Sequence, residues 1–120
     1  MGRKGRIGLL GAAGLLALGS SGVQAHHGWS GYDASTLVTL AGTVQSASFQ
    51  SPHGLLMLDA DGKVWRVVLA PPSRMARRGL PEGSIETGTE VSVEGYPHRN
   101  DPEEFRAERI RVNGTTVELR

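Results

Sequence analysis

The chain contains no cysteine in its 120 residues. That excludes a disulfide framework, C-x-x-C redox chemistry, a cysteine nucleophile and a lipid attached at an N-terminal cysteine. Aromatic residues are scarce: two each of Phe, Trp and Tyr, 5% of the chain, which offers little of the stacking surface that single-strand nucleic-acid binders use. No apolar run reaches the ~20 residues that cross a bilayer. There is no G-x-S-x-G elbow, and no adjacent arginine pair at the start that would mark a twin-arginine export signal. Neither sign of charge dominates, with 13 basic and 12 acidic residues.

The first 25 residues differ from the rest. Arg3, Lys4 and Arg6 give a positive start, and Ile7 to Leu18 is apolar and uncharged. "GSSGVQA" follows, with Val23 and Ala25 at the −3 and −1 positions of an A-x-A-like cleavage site. This order predicts a cleavable signal peptide over residues 1–25 and a periplasmic protein with no stable membrane insertion after cleavage. Cleavage after Ala25 leaves 95 residues with ten basic and twelve acidic side chains, a net charge of −2. That gives no electrostatic reason to bind nucleic acid. A chain of this length forms one small core, held by packing alone.

A polar lead-in, residues 26–36, precedes the regular pattern. "TLVTLAGTVQSASF" alternates at period 2, with Val38, Leu40, Gly42 and Val44 on one face, and predicts a half-buried strand with a bend at Gly42. "QSPHG" reads as a turn, and "LLMLDA" and "KVWRVVLA" as strands joined by Asp61-Gly62, a strong hairpin signal. Val64, Arg66 and Val68 then oppose Trp65, Val67 and Leu69. "PPSRMARRGL" predicts a short helix capped by Ser73 and stopped by Gly79. "TEVSVEGYPH" and "FRAERIRV" are two further strands. Phe105 and Ala107 are out of phase with Ile110 and Val112, which predicts a bulge near Glu108–Arg109. Asn113-Gly114 turns the chain into a last strand, "TTVEL". Residues 37–120 therefore predict an all-β domain with one short helix, a five- to six-stranded OB-like barrel.

"AHHGWSGYD", "GTV…SPHG", "W.V.LAPPSRMARRGL", "G.EVSVEGYP" and "RAERIRV.G.T.EL" together resemble a family of small exported bacterial proteins of unknown function. Its members begin "AHH" after the signal, carry an N-P-H turn and have an APP or GAP turn before a short helix. Here Ser51 stands where asparagine is usual, and His53 is retained. The resemblance implies export and a small β-barrel, and it brings no activity with it.

Candidate chemistry rests on four histidines. His26 and His27 would open the processed chain, His53 lies between the first two strands, and His98 ends the fourth. An N-terminal histidine offers its α-amine and ring Nδ1 together, and imidazole and amine nitrogens suit copper(II) above the other divalent metals. The sequence reading is a non-catalytic binding module holding a transition metal, copper first, through His26, His27, His53 and His98, the two loops being expected at one end of the barrel. The alternative is a metal-free interaction module that presents Arg74, Arg77 and Arg78 to an envelope protein. Asp59 and Asp61 read as turn residues, Trp65 as core, and Trp29 and Tyr32 as docking the lead-in onto the barrel.

Overall fold

A computed structural model describes residues 28–120. The expected signal peptide and cleavage site, together with His26 and His27, lie outside the described residues. Contacts divide the chain into two units, Met1–Ser30 and Gly31–Arg120. In the first, Gly28, Trp29 and Ser30 form a turn. Among the described residues no helix is long and apolar enough to cross a membrane.

The second unit is mostly strand: β1 (Val38–Ser48), β2 (Leu55–Ala60), β3 (Lys63–Val68), then α1 (Pro72–Arg77), β4 (Glu90–Pro97), β5 (Glu104–Val112) and β6 (Thr115–Glu118). The sheet order is β3-β2-β1-β4-β5-β6, and a parallel pairing of β3 with β5 closes it into a five-stranded barrel, with β6 added beside β5. This is the OB-like architecture that the order of elements predicts.

Alternation decides what enters the barrel. Leu40, Val44, Leu56, Leu58, Val67, Val93, Phe105 and Ile110 are at most 2% exposed. Each large apolar side chain so buried contributes about 1.5–3 kcal/mol. Trp65 is only partly buried. It packs its ring edge-on to Phe105 at 6.0 Å and donates its indole N–H to the Ala60 carbonyl at 3.2 Å. Both hairpin turns carry positive φ at their two central residues, Asp61 (52°) with Gly62 (80°) and Asn113 (51°) with Gly114 (82°), as type I′ turns require.

Gly42 and Gly95 sit where strands approach closely. A Cβ on Gly42 would lie 2.1 Å from the Asp59 carbonyl oxygen, and one on Gly95 would lie 1.9 Å from that of Arg106. The register between β4 and β5 shifts at Glu94/Gly95, so Glu108 is the extra residue of a bulge. This bulge lets both Phe105 and Ile110 point inward. A second bulge, at Gln45 of β1, lies between Val44↔Leu58 and Ser46↔Met57.

The helix corrects one expectation. Ser73 does not cap it: Pro71 is the N-cap, without a side-chain hydrogen bond, and α1 begins at Pro72. Proline at the first helical position has its φ already set and lacks an N–H that would go unsatisfied. Gly79 does stop the helix, at φ 96°. Its N–H donates to the Ala76 carbonyl and that of Leu80 to the Met75 carbonyl, at 3.2 and 2.8 Å, the two bonds of a Schellman end. Leu80 and Met75 are both buried, which locks α1 onto the barrel beside Gly54.

Candidate functional site

The seam between β3 and β5 organises the polar groups. Arg66 pairs with Glu104, Val67 with Phe105, and Val68 with Arg106. Val67 and Phe105 fill the core, so Arg66, Val68, Glu104 and Arg106 face outward. The segment Gly31–Asp33 lies across this face. The Asp33 N–H donates to the Pro97 carbonyl at 2.9 Å, and the Arg99 N–H donates to the Gly31 carbonyl at 2.8 Å. Between them Tyr32 forms a bridge with His98 and packs its ring edge-on to the imidazole at 5.0 Å. Its hydroxyl donates to Glu104 Oε2. Arg66 binds Asp101 and also Glu104, the latter at 3.2 Å.

Tyr32 and Arg106 are each 7% exposed, and the Arg106 guanidinium lies 5.9 Å from the centre of the Tyr32 ring. Burial, then the hydrogen bond to Glu104 and its charge, push the Tyr32 phenol well above the ordinary tyrosine range. Burial likewise lowers the Arg106 value, with the phenol working in the opposite direction and the Arg74 charge adding to the fall. Tyr32 therefore docks the segment Gly31–Asp33 onto the barrel, the role the sequence reading assigns it; Trp29 lies in the other unit. Arg106 is the residue that sequence reasoning missed. In the alternation of β5 it reads as a solvated charge, and the segment that covers it lies 74 positions away by number.

His98 accepts two backbone hydrogen bonds at Nδ1, from the N–H groups of Asn100 and Asp101, each at 3.1 Å. The proton of the neutral ring therefore resides on Nε2. That nitrogen faces Gly31, where a Cβ would come within 3.0 Å of it. A metal on Nε2 would force the ring proton onto Nδ1, against two N–H donors.

His53 is half-buried and continues the outward-facing row of Leu55. Burial, followed by the positive charges of Arg106 and Arg74, lowers its pKa below the usual histidine value. The two loop histidines do not share an end of the barrel. β1 is antiparallel to both β2 and β4, so His53 follows the C-terminal end of β1 while His98 lies beyond the end where Val38 pairs with Gly95. Leu55, Val68, Arg106 and Tyr96 form one row across four strands. Strand spacings of about 4.8 Å and rises of about 3.3 Å per residue then set His53 and His98 roughly 15–20 Å apart. The Asp61–Gly62 turn lies at the His98 end, where Lys63 Nζ donates to the Pro102 carbonyl at 2.6 Å. Among the described residues, no three His, Cys, Asp or Glu side chains group as a metal site.

The arginines of α1 divide. Arg74 donates to the Leu119 carbonyl at 3.0 Å, and Arg78 to those of Glu118 and Arg120 at 2.7 and 3.2 Å. Both thereby hold the segment after β6. Among the described residues Arg77 reaches only the Ser73 carbonyl of its own helix, at 3.4 Å, and it is exposed.

No curated protein matches this chain. The profile of a family of unknown function, DUF6152, matches residues 14–105, more than half of the chain. With an OB-like barrel whose face is crossed by the segment Gly31–Asp33, the chain belongs to the DUF6152 family.

Proposed function

We propose that the protein is exported to the periplasm, where it serves as a non-catalytic binding module that takes a transition-metal ion, copper(II) before others, at its processed N-terminus. The observation that carries this reading is the order of residues at the head of the chain: the small-x-small pattern Val23-Gln24-Ala25 stands directly before His26 and His27. After cleavage the α-amine and Nδ1 of His26 chelate one ion, and the ring of His27 adds a third nitrogen. Nitrogen ligands favour copper(II) in the divalent series. The amine titrates near pH 8 and imidazole near 6.5, so the metal competes with protons and binds more weakly as the pH falls.

The loop histidines stand outside this ligand set. They are too far apart to share an ion with each other, and His98 already uses Nδ1 within its loop. The metal-free interaction reading loses part of its basis as well, because Arg74 and Arg78 are committed to backbone carbonyls. The test is copper(II) titration of the chain beginning at His26 against one carrying an added residue before His26. A single tight site on the first, weakened at least tenfold on the second, supports the reading. Equal binding by the two removes it, and a metal-indifferent chain that retains an envelope partner favours the interaction module.

A further inference from the structure

The barrel leaves the edge of β1 open near its C-terminal end. Counted in steps of two from the Asp61–Gly62 turn, Leu58↔Trp65 and Leu56↔Val67 are hydrogen-bonded pairs of the β2–β3 ladder. The backbone groups of Leu58 and Leu56 therefore turn away from β1. Their partners in β1, Val44 and Ala47, turn theirs away from β2. Val44 is met on that side: its N–H donates to the Thr89 carbonyl at 2.9 Å, and its carbonyl accepts from the Gly88 N–H at 2.8 Å. The Thr87 hydroxyl donates to the Gln45 carbonyl at 3.3 Å. There the pairing stops, and among the described residues no backbone group meets Ala47. Ala47 borders instead a cleft of about 330 Å³, with Phe49 on its own side and Glu82, Gly83 and Ile85 on the other. Phe49 packs against the core and Ile85 is 4% exposed, so the cleft has apolar surface within it. Glu82 is exposed and, among the described residues, enters no ion pair. No basic residue lines the cleft.

We propose that this cleft takes an extended segment of a partner protein, added to β1 as a further strand beside Ala47 and carrying a basic side chain at Glu82. The Ala47 N–H and C=O present a donor and an acceptor side by side on a sheet edge, the pattern that an added strand completes. The segment lies in line with β4, taking up the edge where Gly88 and Thr89 leave it. Alternate side chains of a strand point to opposite faces, so one set meets Phe49 and Ile85 and the apolar contact adds to the backbone bonds. Charge selects the occupant. A second copy docking through the same cleft would set Glu82 against its own counterpart, whereas a lysine or arginine on a foreign strand pairs with it. The reading uses neither His26 nor His27, so it stands whether or not the N-terminus binds metal.

The test is NMR titration of the backbone amides of the full chain with short synthetic peptides. One alternates lysine and valine, a second is the same peptide N-methylated at every backbone nitrogen, and a third alternates glutamate and valine. The lysine peptide should give saturable shifts at the Ala47, Ser48 and Gly83 amides and should slow hydrogen exchange at Ala47. N-methylation removes the donors that a strand needs and should weaken binding by roughly tenfold. The glutamate peptide should bind more weakly than the lysine peptide. Glu82→Gln should weaken the lysine peptide by about threefold, as loss of an exposed ion pair does, and Glu103→Gln, at the other end of the barrel, should leave it unchanged. Absence of a saturable shift at Ala47, equal binding by the N-methylated peptide, or a Glu82→Gln titration that superimposes on the original overturns the proposal. An Ala47 shift that depends on protein concentration before any peptide is added also overturns it, and gives the cleft to a second copy.

Discussion

Replacing Gly42 by alanine tests the barrel geometry at its tightest point. On an open strand the change should stabilise by about 0.4–1 kcal/mol, because alanine restricts the unfolded chain. Here the new Cβ would meet the Asp59 carbonyl oxygen at 2.1 Å and Ala60 Cβ at 2.9 Å. The clash is with the backbone of the paired strand, so no side-chain rotation relieves it. β1 must move away from β2 at Thr43↔Asp59, beside the Gln45 bulge and above the buried Leu58. Overpacking of this kind costs about 1–3 kcal/mol, and the hydrogen bonds stretched by the displacement add to it. The expected net loss is about 2–3 kcal/mol. For a domain of this size that lowers the melting temperature by about 10–20 °C and moves the urea midpoint down by about 1–2 M. Circular dichroism followed through urea and heat measures both. A variant as stable as the original, or more stable, would refute the close approach of β1 and β2 at this position.

Two further predictions concern ionisation. The Tyr32 phenol is raised in the folded state, by burial first and then by Glu104, so its stabilising contribution is complete below the unfolded value near 10 and declines as the pH rises beyond it. Tyr32→Phe should cost about 1–2 kcal/mol at pH 7 through the lost bond to a carboxylate and should flatten the alkaline limb of the stability curve, as urea unfolding at pH 7 and at pH 10–11 would report. His53 is lowered by burial and by Arg106 and Arg74, so it favours the fold above about pH 6.5 and loses that contribution as the pH falls through its lowered value. His53→Gln should therefore make the decline in stability between pH 7 and pH 5 shallower, and an unchanged slope would contradict the burial of that ring.

Much of the barrel was legible because burial imposes a period on the sequence. The shift in phase between Phe105–Ala107 and Ile110–Val112 marks the Glu108 bulge, since apolar residues on both sides reveal which face each half uses. The Gln45 bulge leaves no such trace: it is followed by Ser46, Ala47 and Ser48, whose small side chains carry little phase information. Ser73 misleads because a serine inside the first turn looks like a cap until the proline before it is found at the first helical position.

The site was harder to read for a different reason. Whether Arg106 is solvated or buried depends on what Tyr32 does from a segment without regular structure, and whether His98 has a free nitrogen depends on the turn geometry of Asn100 and Asp101. The first is a tertiary fact, and the second is the conformation of a short loop that residue types alone do not specify. The position of His53 opposite His98 follows from strand direction alone, since β4 runs antiparallel to β1 and carries its following loop to the other end.

The most direct test of the account is metal analysis of the protein recovered from the periplasmic fraction, with its N-terminal residue determined by mass spectrometry on the same sample. The account predicts a chain that begins at His26 and carries about one copper ion, released on acidification as its amine and imidazole ligands take up protons. A chain that retains residues 1–25, or one that begins at His26 and holds no transition metal, would contradict it.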